Sequence, residues 1–319
     1  MSADHLIYAA PRWLFVALSR SETLKSLASR YGMATGDSFA RRFIAGETVG
    51  EAIDAARALQ SRGRLITLDY LGESVRTTEA AAEATREYLR LIDAIVASGI
   101  ERNLSLKLTQ LGVDIDRATC VDNLRRILDP AQRHEFFVRI DMENSPYTDV
   151  TLDVFETLWG QDYRNIGVAL QACLHRTEAD VRRINALGAR IRLVKGAYKE
   201  PPAIAYQKKT EVDAAYVRLM HLLLDEGTYP AIATHDPRMI EETRRAVKVR
   251  KLASDRYEYQ MLYGIRRDLQ ESLVASGCRM RIYVPFGREW FPYFMRRLGE
   301  RPANVGFVIR GILGERSHP

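Results

Sequence analysis

The stretch NIGVALQACLHRTEADVRRINALGARIRLVK, residues 165–195, decides the fold. Its two ends, NIGVAL (165–170) and RIRLVK (190–195), are short runs of apolar and β-branched residues, the composition of buried strands. Between them, Thr177-Glu-Ala-Asp180 carries the signature of a helix start and Gly188 that of a helix stop. Strand, helix and strand in close succession form a βαβ unit. Its strands are parallel, because the crossover helix returns the chain to the same end of the sheet.

The unit recurs on both sides. RLITLDY (64–70), NLSLKL (103–108), FFVRID (136–141), PAIATH (230–235), RYEYQM (256–261) and RMRIYV (279–284) alternate with amphipathic stretches, and Asp236-Pro237 opens another helix. Eight such strand-then-helix units predict an α/β chain folded as a (β/α)8 barrel of the TIM type. A doubly wound open sheet is the alternative, weakened because the chain holds neither G-x-G-x-x-G nor G-x-x-x-x-G-K-[ST]. Ahead of the first strand the sequence reads as helix only. Leu24, Leu27 and Ala28 share a face before Tyr31-Gly32, and Thr48-Val-Gly-Glu51 is a capping box opening a helix through Leu59. The expected organisation is a helical segment over residues 1–62 and a barrel over 63–319.

Composition narrows the function. With 319 residues, 46% hydrophobic and 28% charged, the chain can bury a large core. Cys120, Cys173 and Cys278 lie far apart and form no C-x-x-C pair, which argues against a disulfide framework or a zinc site and for a reduced, cytoplasmic setting. Pro11 and Arg12 interrupt the apolar start, so neither a signal peptide nor a membrane span is expected. The net charge of +6 is spread among acids, as in EETRRAVKVRK, and no nucleic-acid recognition motif accompanies it. Nucleic acid is therefore not an expected partner.

A barrel places its chemistry at the C-terminal ends of the strands. Here those ends are polar: Lys107, Asp141, Gln171, Arg192, Lys195, Thr234, His235 and Tyr283. Near the C-terminus, WFPY (290–293) and FMRRLGE (294–300) set Phe291, Phe294, Met295 and Leu298 on one helical side and Arg296 and Glu300 on the other. By itself that pattern describes a solvated face with one ion pair. Taken with the strand ends, however, Lys107, Arg192, Lys195, Arg296 and Arg297 outnumber Asp141 and Glu300, so the expected guest is anionic. A phosphorylated cofactor plus a carboxylate substrate satisfies that count, and arginine is the natural carboxylate clamp.

The motifs SLKLTQLG, RIDMENS, VALQACLHRTEADV, RIRLVKGAYKEP, ATHDP, YEYQMLYGIR and RIYVPFG…YFMRRLGERPANVGFV, taken together, resemble the proline dehydrogenase family in its short single-function bacterial form. The resemblance runs from about Leu65 to Arg310 with order and spacing preserved. It implies a distorted (β/α)8 barrel with its last helix across the mouth. It further implies FAD bound without a Rossmann motif, and oxidation of L-proline to Δ1-pyrroline-5-carboxylate, the first step from proline to glutamate. A membrane quinone would take the electrons and pyrroline-5-carboxylate dehydrogenase the product, in a cytoplasmic protein with peripheral contact to the inner membrane.

On this resemblance, Arg296 and Arg297 match the pair that binds the proline carboxylate, joined by Lys107. Glu73 matches an acid that pairs with the first arginine and closes the site, and Glu300 a residue on the flavin side. Tyr283 would pack on the proline ring and disfavour hydroxyproline, Asp141 would hydrogen-bond around Lys107 and Tyr283, and Leu262 would supply an apolar wall. Arg192, Lys195, Gln171, the Gly196-Ala197-Tyr198 turn and Thr234-His235 match flavin contacts. Cys173, His175 and Asn144 depart from the family pattern beside its motifs. One rival remains open, a barrel enzyme using Lys107 or Lys195 as a Schiff-base nucleophile in the manner of an aldolase. A non-enzymatic basic barrel leaves the polar strand ends without a role.

Overall fold

The structure is a computed structural model and describes residues 39–300, with side chains from Ala40 to Leu298. The helical reading around Leu24, Leu27 and Ala28 and the side chain of Glu300 lie outside the described residues.

All eight expected strands form: β1 (Leu65–Tyr70), β2 (Asn103–Leu106), β3 (Phe137–Ile140), β4 (Ile166–Gln171), β5 (Arg190–Val194), β6 (Ala231–Ala233), β7 (Glu258–Leu262) and β8 (Met280–Phe286). They pair in parallel in sequence order and close, with β1 against β8 in register from Leu65↔Arg281 to Tyr70↔Phe286. The barrel is (β/α)8. Helix α1 (Val49–Gln60) precedes it, and α2 (Thr78–Ser98), α3 (Arg117–Arg133), α4 (Thr148–Trp159), α5 (Thr177–Ala186), α6 (Lys209–Glu226), α7 (Pro237–Arg250), α8 (Arg267–Ala275) and α9 (Trp290–Glu300) follow the successive strands. The expected capping box opens α1: Glu51 N donates to Thr48 Oγ1 and Thr48 N to Glu51 Oε2.

Alternate strand residues face opposite ways, and the two faces differ sharply in chemistry. Ile66, Leu68, Leu104, Leu106, Val138, Ile140, Ile191, Leu193, Ile282 and Val284 belong to the apolar core shared with the helices. The alternate set, Thr67, Asp69, Ser105, Arg139, Arg192, Glu258, Gln260 and Arg281, is buried as well, yet polar. Apart from Arg139, which donates to the carbonyls of Val168 and Arg190, these side chains are linked, with Asp141 and Lys107, in a continuous column. Arg281 grips Glu258 with two hydrogen bonds of 2.8 and 2.9 Å and also reaches Glu101. Gln260 donates to Glu258, Arg192 donates to Gln260 and to Asp141, and Ser105 Oγ accepts from Arg192 at 2.8 Å. Barrel interiors are usually filled by bulky branched side chains. Here a salt-bridged column occupies that space and ends at the mouth.

The last helix is held by a separate apolar cluster. Trp290, Phe291, Phe294, Met295 and Leu298 pack on Ala40, Phe43, Ile44 and Leu71, and Trp290 Nε1 donates to Glu47 at 2.9 Å. Burying each of these large side chains is worth about 1.5–3 kcal/mol. Pro292 sits in the first turn, where its missing N–H is no loss. The segment before α1 therefore fixes the helix whose polar side overhangs the barrel.

Candidate active site

A cavity of about 430 Å³ opens at the C-terminal ends of the strands. Among the described side chains, every site residue expected from the sequence lines it, apart from Glu73. Strand ends supply Lys107, Asp141, Gln171, Arg192, Lys195, Thr234, His235, Leu262 and Tyr283; the turn after β5 supplies Gly196, Ala197 and Tyr198; α9 lowers Arg296 and Arg297 from above. Glu73 lines an adjoining cavity that shares Lys107, Tyr293 and Arg296 with the first. Its carboxylate accepts from Arg296 Nη1 at 2.6 Å across the boundary. Arg296 thus has an ion pair to an element other than its own helix, whereas the pair that the helical pattern alone suggests, with Glu300, lies outside the described side chains.

At the floor, Lys107 Nζ lies 3.2 Å from both oxygens of Asp69 and 3.8 Å from Asp141 Oδ2. Tyr283 OH donates to Asp141 at 2.8 Å. Burial pushes the Tyr283 phenol well above its ordinary value, with the Asp141 charge adding to the effect, so it stays a hydrogen-bond donor. Burial works against the Lys107 ammonium, but the carboxylates of Asp69 and Asp141 outweigh it and raise its pKa.

On the opposite wall, Lys195 Nζ is shared by Asp213 at 2.5 Å and Asp236 at 2.7 Å. Lys209 approaches the same two acids. Gln171 Nε2 donates to Glu143 O at 2.8 Å, which fixes the amide and leaves one of its two N–H groups uncommitted by that bond. His235 Nε2 accepts from Leu262 N at 2.9 Å, so in the neutral ring the hydrogen sits on Nδ1. Gly196 takes φ +109, and a Cβ there would stand 2.3 Å from Cys173 Sγ, so the turn after Lys195 requires glycine on two counts.

One expectation is corrected. The cations do not outnumber their acids simply, since Lys107, Arg192, Lys195 and Arg296 each have a carboxylate partner. Asp69 and Asp213 escaped the sequence reading, in which Asp236 is only the start of a helix. Asp69 sits inside a strand, and Asp213 and Asp236 belong to α6 and to the cap of α7, so their approach to Lys195 exists only in three dimensions. The alternation in LITLDY was the available signal for Asp69, an acid on the same strand face as Thr67. Tyr293, another lining residue that went unnoticed, is one helical turn before Arg297 and lies under its guanidinium, 5.1 Å from ring centroid to carbon.

Fold and mouth together define a (β/α)8-barrel enzyme site with paired cations and buried acids at the strand ends. The sequence pattern of the family described as Proline dehydrogenase matches residues 52–310. Proline dehydrogenase 2 of Bacillus subtilis (strain 168) is 40% identical over 301 residues, covering 94% of this chain and 98% of that protein. The proline dehydrogenase of Deinococcus radiodurans is 41% identical over 278 residues, 86% of this chain and 90% of its own. Among solved structures, proline utilization A (PutA) from Bdellovibrio bacteriovorus, inactivated by N-propargylglycine, superposes with a TM-score of 0.79 at 25% identity; the match covers 96% of this chain and only 38% of that longer one. The chain belongs to the proline dehydrogenase family.

Proposed function

We propose that this protein oxidises L-proline to Δ1-pyrroline-5-carboxylate with bound FAD and hands the electrons to a membrane quinone, opening the route from proline to glutamate. The observation that carries the reading is convergence: Lys107 from the floor and Arg296 and Arg297 from α9 line one cavity with Tyr283 and Leu262. Three cations around an aromatic and aliphatic wall suit a small ring bearing one carboxylate.

The residues beyond the clamp fit a flavin. Apolar Met142, Ala169, Val194, Ala233 and Met261 line the cavity beside the polar Gln171, Arg192, Lys195, Thr234 and His235, a combination of apolar lining and a few polar groups typical of cofactor sites. Gln171 and Arg192 would flank the ring system, and Lys195, the 196–198 turn, Thr234 and His235 the remainder. FAD, when bound, supplies the two-electron acceptor. The chain's own part is orientation: Arg296, Arg297 and Lys107 anchor the carboxylate, Tyr283 crowds the ring edge against a hydroxylated substrate, Asp141 fixes Tyr283 and Arg192, and α9 keeps water out. Contact with the membrane is proposed as peripheral, at the site of the quinone; among the described residues no helix is long and apolar enough to cross it. Pyrroline-5-carboxylate dehydrogenase is the functional partner this product calls for.

The test is direct. Purified protein is expected to be yellow, or to become so with FAD, and anaerobic L-proline is expected to remove the colour while Δ1-pyrroline-5-carboxylate accumulates; a quinone or artificial dye restores it. Protein that stays colourless with FAD overturns the reading.

Glu73 gives an independent check. Its 2.6 Å bond to Arg296 ties the first turn of the mouth to α9. Glu73→Ala is expected to raise the KM for proline and leave the visible flavin spectrum unchanged. The reverse pattern, flavin lost with proline affinity intact, would move Glu73 to the cofactor side.

A further inference from the structure

Lys107 is an unusual anion anchor. Its side chain is almost wholly buried at the barrel floor, where an ammonium loses most of its hydration and tends toward the neutral amine. Three elements supply opposing charge: Asp69 on β1 with both oxygens at 3.2 Å, Asp141 after β3 at 3.8 Å, and, further off, Glu73 and Glu143. The groups that oppose or balance them come from the other strands and from above. They are Tyr283 on β8, Arg192 on β5, whose guanidinium is spent on Asp141, and Arg296 on α9, which is spent on Glu73. Tyr88 of α2 also faces the buried acids. Asp141 is thus divided among Lys107, Arg192 and Tyr283, and Glu73 is committed to Arg296. Asp69, fully buried, has Lys107 as its one ion-pair partner among the described residues.

We infer that Asp69 is a positioning residue of the substrate clamp, holding the Lys107 amine in place and charged throughout the alkaline range in which a buried lysine would otherwise lose its proton. The inference rests on the proposed carboxylate clamp. The division of labour is geometric: Asp69 sits one strand away, below the mouth, and need not touch substrate to act. The direction of the Lys107 shift agrees, because the Asp69 charge is the leading influence that opposes burial. The sign is that of any cation. Lys107 attracts an anion below its pKa and stops doing so as pH rises through it, and removing Asp69 brings that pKa down toward the working range.

Proline itself is a poor probe, since its own amine titrates in the same window. Cyclopentanecarboxylate, a five-membered ring with the carboxylate and no amine, avoids this. Its affinity for the FAD-loaded enzyme, measured by calorimetry, is expected to stay within about twofold from about pH 7 to about pH 10 in the parent protein. In Asp69→Asn the affinity is expected to match more closely at the acid end and to fall by about tenfold or more toward the alkaline end as Lys107 discharges. A flat profile in Asp69→Asn overturns the inference and leaves the clamp standing. Failure of the parent protein to bind the analogue at neutral pH defeats the clamp itself. Should Asp69→Asn not fold, Asp141→Asn carries the test: Asp69 alone must then keep the profile flat, and an alkaline fall in that variant overturns its assignment.

Discussion

Arg296→Met and Arg297→Met are each expected to raise the KM for L-proline steeply while the flavin stays bound. Both guanidiniums line the mouth cavity, and α9 holds them there through Trp290, Phe291, Phe294 and Met295, packed on Ala40, Phe43 and Ile44. Methionine keeps the unbranched apolar stem of arginine without its guanidinium, so the helix and its packing are expected to survive the change. On the proposed function, what is lost is one arm of the carboxylate clamp, an interaction worth about 2–5 kcal/mol when one partner is removed and the other is left desolvated. Steady-state kinetics with an artificial dye give the KM, and the visible spectrum reports the flavin. Arg296 carries a further consequence, since Glu73 loses its 2.6 Å partner with it and the two cavities lose the tie at their boundary. Its variant is therefore expected to be the more damaged of the two. An unchanged KM in both variants would return the pair to the role of a solvated helix face.

Why the strands were legible and the interior was not is a matter of range. Strand and helix signals are local: six residues of alternating or continuous apolar character, a capping box, a glycine stop. RLITLDY, NIGVAL and RIRLVK accordingly fall on β1, β4 and β5 to within a residue or so. RYEYQM falls short by one residue at its end, where Leu262 extends β7, and PAIATH overshoots, because β6 ends at Ala233 and Thr234 already turns toward the cap of α7. The polar column is a long-range object. Lys107 meets Asp69 across 38 residues, Arg192 meets Gln260 across 68, and Arg281 meets Glu101 across 180. Each partner alone looks like an ordinary alternating polar residue, as in a strand with one solvated face. Closure of the barrel turns that face inward, and burial then forces the charges to pair. The charge count at the mouth failed for the same reason, whereas the Arg296–Glu73 pair came from motif resemblance rather than from any local rule.

The last expected result separates flavin chemistry from lysine chemistry. A Schiff-base enzyme needs a neutral amine that can attack a carbonyl. Lys107 is badly placed for that, since two carboxylates keep its pKa up and its Nζ is held against both oxygens of Asp69. Lys195 is no freer, with Nζ shared between Asp213 and Asp236. Borohydride added during turnover is therefore expected to leave both lysines unmodified by mass spectrometry, and Lys107→Ala is expected to retain a slower, flavin-dependent oxidation with a raised KM for proline. The loss is set at about 2–5 kcal/mol in transition-state binding, the range for removing one member of a buried charge pair. It is expected to stay partial because Arg296 and Arg297 of α9 still line the cavity in which the proposed clamp lies. Removal of a covalent nucleophile allows no such residue of activity. A borohydride-stable adduct on Lys107 or Lys195, together with a Lys107→Ala protein that binds FAD but no longer lets proline bleach it at any concentration, would overturn the clamp and put the lysine in its place.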